Sequence, residues 1–131
     1  MLRELIVKNI VLIESLNVHF KNGLSVLTGE TGAGKSILLD SIGLILGNRV
    51  DFNLIRNNEN VASVTAIFEI DDKHPVINVL KKFSVNHETE LIIRREINSN
   101  GKSKCIINDV VITRNVLMEL IDNLLEVQCR F

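Results

Sequence analysis

The sequence predicts an α/β fold in which an antiparallel β layer joins a mixed sheet that carries a strand–loop–helix unit. Residues 2–7 and 16–20 alternate apolar and polar side chains, as half-buried strands do. They precede a third apolar stretch, residues 24–28, which leads straight into the glycine-rich segment 29–36 and an apolar helix. Because the strands after that helix are joined by hairpin-type turns, we predict an antiparallel layer beside the start of a parallel core.

The first half of the chain is organised around the glycine-rich segment. Residues 21–23 carry the Asn-Gly signature of a tight hairpin turn. Residues 36–46 form the apolar helix, and Gly47 follows it at the position where glycine commonly ends a helix. Residues 48–60 are rich in asparagine, which predicts an exposed excursion before an alternating strand at 61–70.

The second half of the chain predicts two helices on either side of a hairpin. Pro75 suits the first position of a helix, and Thr113 has a side chain that can cap the N-terminus of another. In chain order the elements are a helix at 75–83, a hairpin of 90–97 and 104–108 across the turn 98–101, a helix at 113–122, and a strand at 124–128.

The segment 29–36 matches the phosphate-binding loop G-x-x-x-x-G-K-[ST], between a strand and a helix as that motif requires. Gly32 and Gly34 let the backbone curl so that its N–H groups face a phosphate, and the helix directs its positive end there. Lys35 offers a charge to the β- and γ-phosphates, and the Ser36 hydroxyl can ligate Mg²⁺. The predicted nucleotide-binding residues are Gly29, Glu30, Thr31, Gly32, Ala33, Gly34, Lys35 and Ser36.

Composition narrows the class of protein. The 131 residues suit one domain, or one lobe of a larger domain, and 46% of them are hydrophobic. A net charge of −1 argues against broad electrostatic attraction of this chain to nucleic acid. The apolar runs are too short to span a bilayer, so no membrane partner is predicted. Cys105 and Cys129 lie far apart, as reduced thiols of a cytoplasmic protein do.

The order of elements separates the classes of phosphate-loop protein. In kinases and small GTPases the loop follows the first strand of the domain, whereas here at least two strands precede it. Hairpin-type turns then follow the first helix. This plan is that of a P-loop NTPase of the ATP-binding-cassette head type.

Residues 27–49 resemble the RecN family of bacterial DNA repair proteins, which are relatives of the SMC chromosome-maintenance ATPases. The likeness covers nearly the whole chain in order and also includes 5–13, Asp51 with 54–56, 90–97 and 101–108. The resemblance implies a cytoplasmic, nucleoid-associated ATPase that acts in recombinational repair of double-strand breaks. It further implies ATP and Mg²⁺ as cofactors, a homodimer formed around ATP, and engagement of DNA by the full-length assembly.

Members of that family are several times longer, and residues 1–131 correspond to the N-terminal lobe of a split head. The C-terminal lobe carries the signature motif and the Walker B strand with the catalytic glutamate, so no catalytic residue is identified here. The resemblance therefore implies weak or no ATP hydrolysis by this chain alone. The family's Mg²⁺-sensing glutamine falls at Arg130; Gln128 lies two residues earlier, about 7 Å along a strand, and does not inherit the role. A truncated chain or a frameshift near codon 128 would explain this ending.

Several charged residues are candidates for contact with DNA phosphates. Arg94 and Arg95, with Lys102 and Lys104, place four positive charges on one hairpin, although nearby glutamates favour a solvated surface. In SMC-like heads the stretch that contains Arg49 and Arg56 lies near the dimer and DNA faces, so these two are also candidates.

Other residues are expected to have structural roles. Glu30 is expected to contact a partner head or solvent, and Asp40 to be a solvated helix residue. His19, His74 and His87 lack the spacing of metal ligands. Met118, with Leu117, Leu120 and Ile121, forms an apolar helix face that is predicted to belong to the core.

Two alternatives to a RecN-like ATPase lobe remain open from the sequence. One is a non-catalytic remnant or interaction module that keeps the fold and binds nucleotide without turnover. The other is an unrelated P-loop kinase or GTPase, which the order of strands disfavours. Selectivity for adenine over guanine nucleotides separates the kinase or GTPase alternative from the first two.

Overall fold

A computed structural model describes residues 2–20 and 32–128, with side chains in 2–20 and 37–124. Within these ranges, six strands form one sheet in the order β2-β1-β3-β4-β5-β6, and every neighbouring pair is antiparallel. The strands are β1 (Leu2–Ile10), β2 (Ile13–His19), β3 (Val61–Glu69), β4 (Glu90–Asn98), β5 (Ser103–Ile107) and β6 (Val110–Ile112); the helices are α1 (Gly32–Ile45), α2 (Val76–Lys82) and α3 (Arg114–Gln128). The predicted antiparallel layer is confirmed; the turn at 21–23 and the strand at 24–28 lie outside the described residues.

Among the described residues, the sheet has an inner face that packs on the helices and an outer face whose side chains are mostly half-buried or exposed. Alternate residues of a strand point to opposite faces, so pairing carries each face across the sheet. On the inner face, Val7 pairs with Val64 and Leu5 with Ala66, and Ala66 in turn pairs with Ile93; none of the five is more than 1% exposed. The core cluster joins these residues to Leu44, Leu80 and Leu120 from the three helices.

Helix α1 begins at Gly32, four residues earlier than predicted, and ends at Ile45 as the glycine signal indicated. Gly47 has a positive φ of 94°. Its N–H donates to Leu44 O at 3.2 Å, and the next N–H, of Asn48, donates to Gly43 O at 3.0 Å. These two bonds close the helix through a left-handed residue, which glycine adopts without strain.

The predicted short helix after Pro75 is confirmed as α2, and Thr113 caps α3 by accepting from the Val116 N–H at 3.2 Å. The predicted end of α3 at residue 122 and the strand at 124–128 are wrong, because α3 continues to Gln128. Leu117, Leu120, Ile121 and Leu124 are at most 3% exposed and follow helical spacing, so one buried stripe carries the helix onward.

The stretch 48–60 is exposed at most of its residues, as predicted. Two backbone bonds also tie it to the end of β1 and the β1–β2 turn: the Val11 N–H donates to Leu54 O at 2.6 Å and the Arg56 N–H to Asn9 O at 2.8 Å. Strand β6 was not predicted. It follows a turn at Asn108 and Asp109, whose positive φ values of 46° and 69° are ones these short polar residues tolerate.

Candidate functional site

The predicted phosphate loop overlaps the N-terminus of α1. The backbone of 32–36 is the first part of that helix, while 29–31 lie outside the described residues. The first N–H groups of a helix have no partner within the helix and carry its positive dipole end, so they suit an anion. The roles given to Glu30, Lys35 and Ser36 remain predictions.

The opposite end of α1 is held by two arginines that come from different elements. Arg95, on β4, donates from one nitrogen, Nη1, to Leu44 O at 2.9 Å and to Asn48 O at 3.1 Å. Arg114, the first residue of α3, donates from Nε to Gly47 O at 2.6 Å. We call Arg95 and Arg114 the arginine clamp. Carbonyl groups at a helix C-terminus lack partners within the helix and bear partial negative charge, which cations stabilise.

Arg95 is not a surface residue. Only 1% of it is exposed, which corrects its prediction as a DNA contact, since its guanidinium faces α1 and not solvent. Burial lowers the pKa of Arg95, the neighbouring Cys105 raises it and Arg114 lowers it further, yet an arginine keeps its charge at neutral pH. Burial likewise raises the pKa of the Cys105 thiol, against the effect of the two arginines. Cys105 is a free cysteine in the core.

Arg94 lies on the outer face, where it remains a candidate for contact with phosphate. Its Nη2 is 3.2 Å from Oε2 of Glu96, and 45% of its side chain is exposed. Pairing aligns Lys8, Ser63, Glu96 and Lys104 in one row across β1, β3, β4 and β5. Lys8 and Lys104 are both exposed, so with Arg94 this face presents three exposed cations, of which Arg94 forms an ion pair with Glu96. We call Lys8, Arg94 and Lys104 the outer basic group.

The two arginines after α1 differ from each other. Arg49 is exposed, whereas Arg56 is half-buried and lies 3.7 Å from Glu59 through Nη1. Arg56 therefore has a local carboxylate partner, and Arg49 has none among the residues that the structure describes.

Other predicted residues fall in several environments. Asp40 is exposed on α1, as predicted. Met118 is 39% exposed, so its placement in the core is wrong, although its side chain covers Gly47. His74 is buried, and its Nδ1 accepts the Val76 N–H at 3.1 Å. In 2–20 and 37–124, no three His, Cys, Asp or Glu side chains gather as metal ligands would.

Sequence reasoning missed Arg114 of the arginine clamp and Lys8 of the outer basic group. Arg114 occupies the first turn of α3, where a positive charge is unfavourable for its own helix. Only the packing of α3 against the end of α1 gives that charge a favourable place, and no local pattern reveals it. Lys8 lies in one row with Lys104 because three successive strand pairings align them. The alternation of residues within single strands does not specify those pairings.

Comparisons with known proteins agree with this architecture. The AAA domain family matches residues 4–128. The DNA repair protein RecN of Bacillus subtilis is 42% identical over 121 residues, which cover 92% of this chain and 21% of that protein. RecN of Halalkalibacterium halodurans is 40% identical over 128 residues, which cover 97% of this chain and 23% of that protein. The chain thus spans about a fifth of the length of these relatives.

Solved structures share the fold at lower identity. A structure from work on ATP-driven dimerization and DNA-stimulated activation of SMC ATPases matches with a TM-score of 0.73 at 23% identity, over 93% of this chain and 78% of that one. The recombination mediator protein RecF matches with a TM-score of 0.64 at 19% identity, over 89% of this chain and 29% of that one. Both likenesses support the predicted head fold.

Within the described ranges, no helix has the length and apolar character needed to cross a membrane. The match over residues 4–128 and the identities above lead to one assignment. The chain belongs to the AAA domain family, and its predicted resemblance to the RecN proteins is confirmed.

Proposed function

We propose that this chain is the ATP-binding N-terminal part of a RecN-like DNA repair ATPase, with residues 29–36 holding the phosphates and Mg²⁺. The observation that carries the proposal is the start of α1 at Gly32, inside the motif, so that the free N–H groups of the helix belong to the loop itself. Lys35 neutralises charge on the β- and γ-phosphates, and Ser36 ligates Mg²⁺.

Hydrolysis needs more than this set of residues. Phosphoryl transfer to water requires charge neutralisation, a metal ion and a residue that positions the water. Lys35 and Ser36 provide for the first two, and a second lobe with Walker B and signature motifs would supply the third. The proposal is therefore ATP binding by this chain, with turnover in the assembly that it forms with that lobe or with a second head.

The first experiment is a titration of the chain with ATP and Mg²⁺ by calorimetry, beside the variant Lys35→Ala. We expect the variant to lose about a hundredfold or more in affinity, because one charge-assisted contact to phosphate is removed. Lys102→Ala, which removes an exposed lysine from the β4–β5 turn, serves as the control and should bind as the parent does. Equal binding by Lys35→Ala, or a preference for GTP, would contradict the proposal.

The proposal includes contact of the assembly with DNA at the bacterial nucleoid, and the outer basic group is its strongest candidate surface. Arg49 and Arg56 are further candidates in the loop after α1. On the outer face the cations are exposed and Arg94 is held by a single carboxylate, so a phosphate can replace that partner. On duplex DNA, each contact to a phosphate adds about 0.9 to the steepness with which the logarithm of the binding constant falls per tenfold rise in salt.

The DNA experiment measures binding of a short duplex by fluorescence anisotropy over a range of salt concentrations. For Arg94→Ala with Lys104→Ala we expect weaker binding and a salt slope smaller by about 2, since two phosphate contacts are lost. Lys82→Ala is a matched control, because Lys82 is an exposed cation on α2 that pairs with Glu119 at 2.9 Å. A slope that the double variant leaves unchanged would remove the outer face from the proposal.

A further inference from the structure

The arginine clamp binds three carbonyl groups, one in the last turn of α1 and two in the residues that follow it. Its acceptors are Leu44 O, Gly47 O and Asn48 O, and its donors come from β4 and α3. The end of α1 is thereby tied both to the sheet and to the last helix. A Cβ on Gly47 would come within 2.7 Å of Met118 Cγ, so α3 also packs closely against this end of the helix.

Ordinary core packing does not account for a guanidinium at this place. Arg95 is 1% exposed, its Nε has no hydrogen-bond partner, and no carboxylate pairs with it among the described residues. A buried charge loses its hydration, and apolar side chains of similar volume often stabilise a protein equally well or better. What an apolar residue cannot supply is a pair of directed bonds to Leu44 O and Asn48 O, which fix the position of the helix end.

Helix α1 links that end to the phosphate loop. Its 14 residues span about 20 Å as a stiff rod of continuous hydrogen bonds. A shift or tilt at Ile45 is therefore transmitted to Gly32, where the predicted loop enters the helix. Phosphate binding depends on N–H groups placed within hydrogen-bond distance, so small displacements of the helix weaken it.

We infer that Arg95 and Arg114 are positioning residues for nucleotide binding, acting through the C-terminal end of α1 to hold its N-terminus in register with the phosphates. This inference rests on the proposed function. It gives Arg95 an indirect role in nucleotide binding, although Arg95 lies at the end of α1 that is far from the phosphates. It predicts that losing the clamp weakens ATP binding in molecules that remain folded.

The test compares Arg95→Met, Arg95→Lys and Arg114→Met with the parent chain, using calorimetric titration with ATP and Mg²⁺. We expect about a tenfold weaker affinity for Arg95→Met, which is within the range that residues remote from a ligand exert through packed elements. Arg95→Lys keeps the charge and a donor, so it should recover part of the loss. Arg114→Met removes one bond and should cost less.

A stability control separates positioning from loss of fold. Val79→Ala truncates a buried residue of α2, a helix that supplies neither a donor nor an acceptor to the clamp, and it should lower the melting temperature while leaving affinity unchanged. Equal affinity of Arg95→Met and the parent, or an equal loss for Val79→Ala, would overturn the inference.

Amide hydrogen exchange tests the role of the clamp without nucleotide, so its result does not depend on the proposed function. We expect faster exchange of the amides at 43–48 and at 32–38 in Arg95→Met without nucleotide, and no change there in Val79→Ala. If the parent chain fails to bind ATP, the proposed function fails while this measurement still reports on the clamp. Unchanged exchange at 32–38 in Arg95→Met would overturn transmission along α1.

Discussion

The two faces of the sheet differ most clearly along β4, where neighbouring residues of the same type have opposite environments. Ile93 is completely buried and Ile92 is 39% exposed; Arg95 is 1% exposed, whereas Arg94 reaches solvent. The residue type is the same within each pair, so only the twofold alternation of the strand separates them. The type of a residue on β4 therefore does not determine its environment, whereas the face of the sheet on which it lies does.

The largest expected effect comes from truncating the isoleucines of β4 in turn. Ile93→Ala should lower the free energy of unfolding by about 3 to 4 kcal/mol, because it leaves a cavity among inner-face residues. Ile92→Ala should cost less than about 1 kcal/mol, since its side chain is already partly in water. Urea denaturation of both variants measures the difference. Similar losses would show that another part of the protein covers the outer face.

The contrast between buried and exposed residues also affects a titratable group, His74, which is buried just before α2. Burial is the main cause that lowers its pKa below the ordinary 6.5, and its Nδ1 accepts the Val76 N–H. Below pH 6.5 the unfolded chain binds the proton more readily than the folded one, so stability falls as the pH drops from 6.5 towards the folded pKa. Well above pH 6.5 both states are neutral at this residue and its contribution to the pH dependence disappears.

The variant His74→Asn tests that dependence. Asparagine can still accept the Val76 N–H but does not titrate, so we expect a shallower loss of stability between about pH 7 and pH 5. Melting temperatures across this range, with parent and variant in the same buffers, provide the measurement. An unchanged slope would assign the acid sensitivity to other groups.

Sequence reasoning succeeded where a local pattern and a buried face coincide. The strands alternate along residues that do lie half-buried, and the helix signals at Gly47 and Thr113 mark real ends because each reports a local backbone requirement. The end of α3 was placed wrongly because short apolar runs suit a strand as well as a helix. Only the continued burial of Leu124 beside Leu120 decides between them.

The candidate site likewise has one part that the sequence predicted, the loop motif, and one part that it did not, the arginine clamp. The loop motif is a contiguous pattern with a fixed spacing, so the sequence alone indicated where α1 begins to within four residues. The clamp joins Arg95 and Arg114 to carbonyls 47 to 67 positions away along the chain. A backbone carbonyl has no identity in the sequence, so these partners become visible only when the helix is packed against the sheet.

The smallest expected effect concerns the ion pair of Arg94 and Glu96 on the outer face. Its atoms are 3.2 Å apart with nearly half of the arginine exposed, and such pairs contribute about 0 to 1 kcal/mol. A double-mutant cycle of Arg94→Met and Glu96→Gln should therefore give a coupling below about 0.5 kcal/mol, which salt reduces further. A coupling several times larger would mean that the pair is needed for the fold. A small value means that Arg94 can leave Glu96 for a phosphate at little cost, which is the property that a nucleic-acid surface requires and that the clamp on the inner face lacks.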